Sequence, residues 1–452
     1  MNIYQQKLNL TVPLFIFIAI LSVAILQYSI VLIHNEFLDK GIKITSVILL
    51  LISIKNIRLS RETKNIVYWY GALFVSAFIG AVVTADIIGI IQLYKIVFMF
   101  LIFPVILLSV PPKSRPPDIL LKIPLFWGTL FSFQSIILFC FTLFAIPIEP
   151  TVVELGTCGG IPAVRYGMLG YANIENFSAV EYKIIRVQSW FLEPSLFAAY
   201  LFYPILVSFG YYKSTKKKLY LLISFLCLLS FAMTFSLAGF FSLLASTIFL
   251  LCVRPVSKRN ANHIKGGLLT RITLLIAIAG FVIVAQFIMS KLQDLYDPST
   301  YSATAYTKLL ARNSEGPSGA LFREQYKQEQ YIDALKQSPL GQGLGHTLGT
   351  NELTSGNAFV FWAVSGGVLA IIVLLMLYMK LFFSYCLPLL RSRYSPYRFI
   401  GAAFVGTTVH GLSYGNWVSP FYLYIVAVTV LCAVYEIIQC TQIKKDTFPK
   451  IV

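Results

Sequence analysis

The chain has 452 residues, of which 57% are hydrophobic and only 12% are charged. Soluble domains carry about 25% charged residues, so this composition excludes an ordinary water-soluble protein and indicates that lipid solvates much of the surface. The net charge of +17 does not indicate a nucleic-acid partner, because lysine and arginine concentrate in short loops between apolar segments and no nucleic-acid-binding motif is present.

Apolar segments that approach the ~20 residues of a membrane-spanning helix recur along the whole chain. They lie at 11–33, 41–55, 66–84, 88–110, 123–147, 191–212, 219–234, 238–253, 272–289, 357–379, 398–415 and 419–438. The pattern predicts an all-α fold, a polytopic transmembrane helical bundle of about twelve spans. The first segment lacks a small-residue cleavage site and is expected to remain as a helix.

The apolar run at 219–253 is too long for one crossing and is predicted to form two helices. The small polar sequence from Thr234 to Gly239 suits a tight turn between them. With this division, most of the 36 lysines and arginines fall in the two terminal segments and in the short loops of one side. The charge bias therefore predicts that both termini are cytoplasmic. Without the division, every later loop would change sides.

Two segments on the opposite side are too long to be simple connections, and long ordered loops often carry function. The predicted organisation is helices 1 to 5 in 1–147, a first long loop at 148–190, helices 6 to 9 in 191–289, a second long loop at 290–356, and helices 10 to 12 with a tail in 357–452. Both loops are expected to contain short helices, since residues 321–337 place apolar side chains at roughly helical spacing.

Candidate functional residues lie in or beside these loops. Arg165 and Arg186 belong to the first loop, and Glu193 directly precedes Pro194 at the predicted start of a helix. Proline is favoured in a first helical turn, and the helix dipole favours a carboxylate just before it. Glu193 is therefore either a reactive carboxylate or simply a helix cap.

The second loop offers Arg312 and Arg323, which are either ligands for an anionic substrate or solvated charges at lipid headgroups. The glycine-rich segment 338–346 is not a nucleotide-binding loop, because no strand precedes it and the spacing differs from GxGxxG. Lys95 and His410 lie inside predicted spans, where an ionisable side chain is costly. They are expected to face the protein interior, in an interhelical polar pair, with Asp86 as the candidate partner of Lys95, or in a substrate site.

The order of these features resembles the O-antigen polymerase and O-antigen ligase superfamily. The matching pieces are Arg186, Glu193-Pro194-Ser195 entering a span, Arg323 ahead of Tyr331-Ile332-Asp333-Ala334-Leu335, the run from Ser338 to Gly345, Ser355-Gly356-Asn357-Ala358-Phe359, and Gly366-Gly367. In layout the similarity covers residues 120–380. Ligases of this family commonly carry His where Gly356 stands and Arg where Leu237 stands, so the resemblance favours a Wzy-type polymerase.

The resemblance implies a glycosyltransferase that polymerises undecaprenyl-pyrophosphate-linked repeat units at the periplasmic face of the bacterial inner membrane. The implied partners are this lipid-linked glycan, membrane lipid and a chain-length regulator protein. The alternatives are an O-antigen ligase that transfers polymer to lipid A-core, and a transporter that flips the lipid-linked glycan.

For the polymerase, the expected catalytic residues are Glu193 as proton acceptor and Arg186 and Arg323 at the donor pyrophosphate, because a guanidinium stays ionised and its planar fork matches phosphate oxygens. The expected substrate-binding residues are Arg165, Arg312, His346, Asn357 and His410. No Asp-x-Asp pattern occurs on the external side, so neither a metal nor another cofactor is expected.

Overall fold

The computed structural model describes residues 61–100, 116, 118–143, 151–153, 163–165, 171–177, 182–189, 191, 194–253, 255, 332–333, 335–344, 358–413 and 420–447. The helices are α1 (Arg61–Val83), α2 (Ile87–Phe100), α3 (Asp118–Leu143), α4 (Pro194–Thr215), α5 (Lys218–Met233), α6 (Leu237–Cys252), α7 (Ala358–Leu381), α8 (Leu387–Leu390), α9 (Ser395–Ser413) and α10 (Pro420–Thr447). The strands are β1 (Thr151–Val153), β2 (Ala163–Arg165), β3 (Tyr171–Phe177) and β4 (Tyr182–Ser189).

Among the described residues, five helical segments are long and apolar enough to cross a membrane, which supports the predicted transmembrane character. They are Lys64–Val83, Asp118–Phe141, Pro194–Thr215, Ala358–Leu390 and Phe421–Gln439. The predicted spans 11–33, 41–55 and 272–289 lie outside the described residues.

The fourth of these segments is longer than the predicted span 357–379, because α7 continues through a π-helical turn, Phe382–Cys386, into α8. Pro388 follows that turn and has no backbone N–H to donate, which accounts for the local change of helix type. The segment therefore stays helical, apart from one break near its start, as far as Leu390.

The apolar run 219–253 is divided as predicted. Thr234, Phe235 and Ser236 separate α5 from α6, and Phe235 adopts a positive φ of 48°. Ser236 caps α6, since its Oγ accepts a hydrogen bond from the Gly239 backbone N–H at 3.1 Å. This cap means that α6 is a separate helix and not a bent continuation of α5.

The chain also reverses direction at this turn. Gly210, near the end of α4, packs against Phe399 near the start of α9. The Arg398 guanidinium, beside Phe399, donates to the carbonyls of Leu250 and Val253 at the end of α6, the latter at 2.8 Å. Because α5 begins directly after α4, the start of α5 and the end of α6 lie at the same end of the bundle.

Basic side chains collect at this end, which we call the basic end. Lys122 forms an ion pair with Asp118 at 3.5 Å and lies 5.3 Å from the ring centre of Tyr211. Lys213 lies 5.7 Å from the ring centre of Phe399. The loops that the charge bias groups on one side thus meet in space where α3 starts, α4 ends and α9 starts.

Helix α4 lies at the centre of the described helices, and most of its side chains are buried. It packs against α3, α5, α6 and α9. Aromatic rings fill the space around its first turns. Phe191 stacks on Phe197 with ring centres 5.3 Å apart, and Tyr200 meets Phe421 of α10 at 4.5 Å.

Helix α3 contains Pro124 in its interior. A proline lacks the N–H that would bond the carbonyl four residues earlier, here that of Leu120. The Tyr424 hydroxyl of α10 donates to this carbonyl, and the Tyr203 hydroxyl of α4 donates to the neighbouring Leu121 carbonyl at 3.3 Å. The Tyr424 hydroxyl thus replaces the helix bond that proline removes, and the Tyr203 hydroxyl donates to the carbonyl beside it.

The described residues are mostly helical, as predicted, but the first long loop does not consist of short helices. Its described residues form a four-stranded antiparallel sheet in the order β1-β2-β3-β4. In the longest pairing Asn173 lies opposite Arg186 and Phe177 opposite Tyr182. The physical reason is composition: β4 contains Tyr, two Ile and Val within eight residues, and β-branched and aromatic side chains favour strands.

Candidate functional site

Two functional candidates from the sequence, Arg186 and His410, lie at the end of the bundle opposite the basic end. We call this the polar end and define it by the end of β4, the turn between α5 and α6, the first turn of α4 and the last turn of α9. Arg186 of β4 is only 6% exposed, and its Nε donates to the Thr234 carbonyl at 2.9 Å. The first long loop therefore brings a guanidinium to the turn that divides the long apolar run.

The end of β4 lies inside the bundle. All residues from Arg186 to Ser189 are buried, although successive side chains of a strand point to opposite faces. Ser189 has a positive φ of 51°, and the Phe191 N–H donates to the Gln188 carbonyl at 2.9 Å. This turn redirects the chain from the sheet toward Pro194, where α4 begins.

His410, in the last turn of α9, is 2% exposed. Its ring lies 5.9 Å from that of Phe202 and it hydrogen-bonds to the backbone of Ser195 in the first turn of α4. A side chain on Gly239 would come within 2.9 Å of Ala198, so α6 also approaches the start of α4 closely. The first turns of α4 therefore connect His410 with the turn that Arg186 contacts.

The structure thus brings two of the predicted site residues, Arg186 and His410, to the same end of the bundle. Arg165 lies on β2, opposite Tyr171 of β3 and Thr151 of β1, within the sheet. The remaining predicted site residues lie outside the described residues; these are Glu193, Arg312, Arg323, His346 and Asn357.

A guanidinium buried among helix ends is electrostatically suited to an anionic ligand, because charge is stabilised by an opposite charge more strongly inside a protein than in water. Its Nε bond to Thr234 holds the plane of the group against the turn. A fixed planar fork can match two oxygens of a phosphate or carboxylate.

Sequence reasoning missed a second feature, which we call the strap and which comprises residues 338–344. The strap lies against α1 and against the point where Gly367 interrupts α7 with a non-helical φ of 65° and ψ of −154°. Thr84, just after α1, donates its hydroxyl to the Gln342 carbonyl at 3.0 Å. The signal that could have found it is the glycine pair inside an otherwise apolar helix, together with the nearby glycine-rich loop.

Asp86 has a local role at the start of α2. Its carboxylate accepts a hydrogen bond from the Gly89 backbone N–H at 2.8 Å, as a helix cap does. Lys95, its predicted partner, lies nine residues farther along the chain, about 13 Å along a helix axis, and its side chain lies outside the described residues.

Within the described ranges, no group of three or more His, Cys, Asp and Glu side chains could hold a metal ion. No known protein family, curated protein sequence or solved structure matches the chain.

Proposed function

We propose that the chain is a membrane glycosyltransferase that polymerises undecaprenyl-pyrophosphate-linked repeat units into O-antigen or a related surface polysaccharide. It crosses the inner membrane about twelve times, with both termini in the cytoplasm. The observation that carries the proposal is the buried Arg186, which the first long loop brings to the polar end beside the start of α4. The order of sequence motifs, which resembles the polymerase and ligase superfamily, supplies the reaction class.

The arrangement of charge supports the proposed orientation. Lysine and arginine at membrane edges favour the cytoplasmic side, so the basic end would face the cytoplasm. The polar end would then face the periplasm, where the lipid-linked repeat units are presented. A donor headgroup at that surface would lie level with the ends of α4 and α9.

The proposed reaction forms a bond between an acceptor sugar oxygen and the anomeric carbon of the donor sugar. The bond from that carbon to the lipid pyrophosphate breaks, and the pyrophosphate leaves with the bonding electrons. Arg186, joined by Arg323 from the second long loop, would stabilise the charge on the leaving group. Glu193 would accept the proton of the attacking hydroxyl.

The test is turnover of purified protein with lipid-linked repeat units, comparing Arg186→Ala with Arg391→Ala. Loss of a charge-stabilising donor used in the transition state should lower the rate about 100- to 1000-fold. Arg391 is exposed at the basic end, so removing this arginine should leave turnover unchanged. Long polymer from Arg186→Ala at matched folded protein would contradict the assigned role.

The mechanism also predicts independence from divalent metal and from nucleotide sugars, because the lipid pyrophosphate is itself the activated donor. Polymer formation should continue in the presence of a chelator. Activity that stops with the chelator and returns with magnesium would exclude the mechanism as written. A chain-length regulator protein is a further proposed partner. It should change the length distribution of the polymer and leave the reaction independent of metal.

One observation favours a second candidate, a transporter that flips the lipid-linked glycan. Helix α7 is interrupted at Gly367, and interrupted helices often form substrate sites in transporters. A deletion strain separates the candidates by what it accumulates. Single repeat units on the periplasmic face indicate a polymerase, repeat units retained on the cytoplasmic face indicate a transporter, and long unattached polymer indicates a ligase.

A further inference from the structure

The strap exchanges backbone hydrogen bonds with the interrupted helix α7. In a continuous helix the Val368 N–H would donate to the Val364 carbonyl. Here the Val368 N–H donates to the Pro339 carbonyl at 3.0 Å, while the Val364 carbonyl accepts from the Gln342 N–H at 2.7 Å. The strap therefore occupies the place of a helix bond and satisfies both groups that the interruption releases.

Two more contacts hold the strap from both sides. The Gly343 N–H donates to the Ser365 carbonyl at 3.1 Å. The Thr84 hydroxyl, which follows α1, donates to the Gln342 carbonyl. The strap thus joins the end of α1 to α7 through its own backbone groups, although it belongs to the second long loop.

From this geometry we infer that the strap is a positioning element, which sets where the second long loop stands relative to the bundle. Arg323 precedes the strap and Asn357 follows it in the sequence, so a fixed strap limits the reach of both. The catalytic consequence of this inference rests on the proposed function; the positioning itself does not.

Glycine is required at the two positions where the strap lies closest to α1 and α7. Gly343 has a φ of 83°, and a Cβ there would lie 2.8 Å from the Cα of Ala81. Gly341 has a φ of 92°, and its Cβ would lie 2.6 Å from the Gly367 backbone nitrogen. Both obstacles are backbone atoms of neighbouring helices, which cannot rotate away as a flexible side chain could. A methyl group at Gly343 should therefore push the strap out of its place.

The alternative is that the strap only completes the hydrogen bonding of α7 and leaves the rest of the loop unaffected. Both accounts predict slow exchange of the strap amides, but only positioning predicts that residues 321–337 respond when the strap is displaced. Those residues precede the strap in the second loop. Amide exchange of the loop is thus the deciding measurement.

The first experiment measures hydrogen–deuterium exchange of the full-length protein in lipid nanodiscs. The amides of Gln342, Gly343 and Val368 should exchange at least about 100-fold more slowly than freely exposed amides, because each donates a backbone hydrogen bond between the strap and α7. Exchange at the rate of an open loop at all three amides would overturn the inference without any substituted protein being needed.

The second experiment compares Gly343→Ala with Gly71→Ala. Gly71 lies in α1 with nothing within 4 Å of a Cβ built there, so its substitution tests the added methyl group alone. In Gly343→Ala, residues 321–337 should exchange at least about 10-fold faster, whereas Gly71→Ala should match the parent protein. Unchanged exchange of residues 321–337 in a folded Gly343→Ala protein would mean that the strap only completes the hydrogen bonding of α7 and does not position the loop.

Turnover measurements test whether the position of the second long loop affects the proposed reaction. A misplacement of about 1 Å can cost roughly 100-fold in rate, so kcat of Gly343→Ala should fall by about that factor while KM changes far less. Normal kcat with a displaced loop would overturn the catalytic consequence. If the parent protein forms no polymer, the proposed function fails, while the exchange measurements still decide whether the strap positions the loop.

Discussion

Helices α3 and α7 each lack a backbone hydrogen bond inside the protein, and the groups left without it find partners in different ways. In α3, Pro124 removes one helix bond, and tyrosine hydroxyls from α4 and α10 donate to the carbonyls of Leu120 and Leu121. In α7, the interruption at Gly367 is repaired by backbone groups of the strap, which comes from a distant part of the chain.

A missing helix bond can therefore be satisfied by a neighbouring helix of the bundle or by a segment from a distant part of the chain. Tyr203 lies on α4, which packs against α3 in any case, and the Tyr424 hydroxyl adds a bond from α10 to α3 within the same bundle. The strap instead ties a long loop to the bundle. Breaking the first repair should affect the whole bundle, whereas breaking the second should affect the loop before it affects the fold.

The largest effect is expected from Gly367→Ala. A φ of 65° with a ψ of −154° is a conformation that essentially only glycine adopts, and an added Cβ would run into the Pro339 carbonyl. Strain and overpacking together should cost about 3 kcal/mol or more. The measurement is the unfolding temperature in detergent and the yield of monodisperse protein.

Gly71→Ala is the control, because alanine favours a helix over glycine by roughly 0.5–1 kcal/mol and its methyl group meets no neighbour. That variant should be as stable as the parent protein or slightly more stable. If Gly367→Ala unfolded at the same temperature as the parent protein, α7 would be able to continue without a break, and the comparison with α3 would lose its basis.

An intermediate effect is expected from Tyr424→Phe. Removing the hydroxyl leaves the buried Leu120 carbonyl without the donor that replaces the helix bond, at a cost of about 1–3 kcal/mol. Tyr203→Phe should cost less, because the bond from that hydroxyl is longer, at 3.3 Å. Unfolding in mixed detergent measures both.

A double-mutant cycle with Pro124→Ala sharpens this prediction. Alanine at position 124 restores a backbone N–H for the Leu120 carbonyl, so Tyr424→Phe should then cost much less than in the parent protein. Equal costs in the two backgrounds would mean that the tyrosine contributes through packing and not by repairing the helix.

The sequence predicted the helices better than the connections between them. The predicted span 398–415 corresponds to α9, Ser395–Ser413, and the division of 219–253 is confirmed, because apolar length and polar turn residues are local signals. The sheet in the first long loop was missed because short helices were expected in both loops, whereas β4 is rich in β-branched and aromatic residues, which favour strands.

The candidate site was predicted only as residue types. Arg186 was chosen from its place beside a span, but its contact is to a carbonyl 48 residues away in the sequence. The contacts of the strap were even harder to predict from the sequence. Its bonds join backbone groups of distant segments, and backbone groups leave no pattern in a sequence except the glycines that allow close approach.

The smallest effect is expected from Thr84→Val, and it addresses the strap alone. Thr84 is exposed and its hydroxyl contacts both the Gly80 and the Gln342 carbonyl, so losing the hydroxyl should cost only about 0.5 kcal/mol. That energy corresponds to about a twofold faster exchange of the Gln342 and Gly343 amides, with the unfolding temperature unchanged. Thr84→Ser keeps the hydroxyl and should exchange like the parent protein. A drop in the unfolding temperature without faster strap exchange would instead mean that Thr84 stabilises the bundle, as Tyr203 and Tyr424 do, and not the loop.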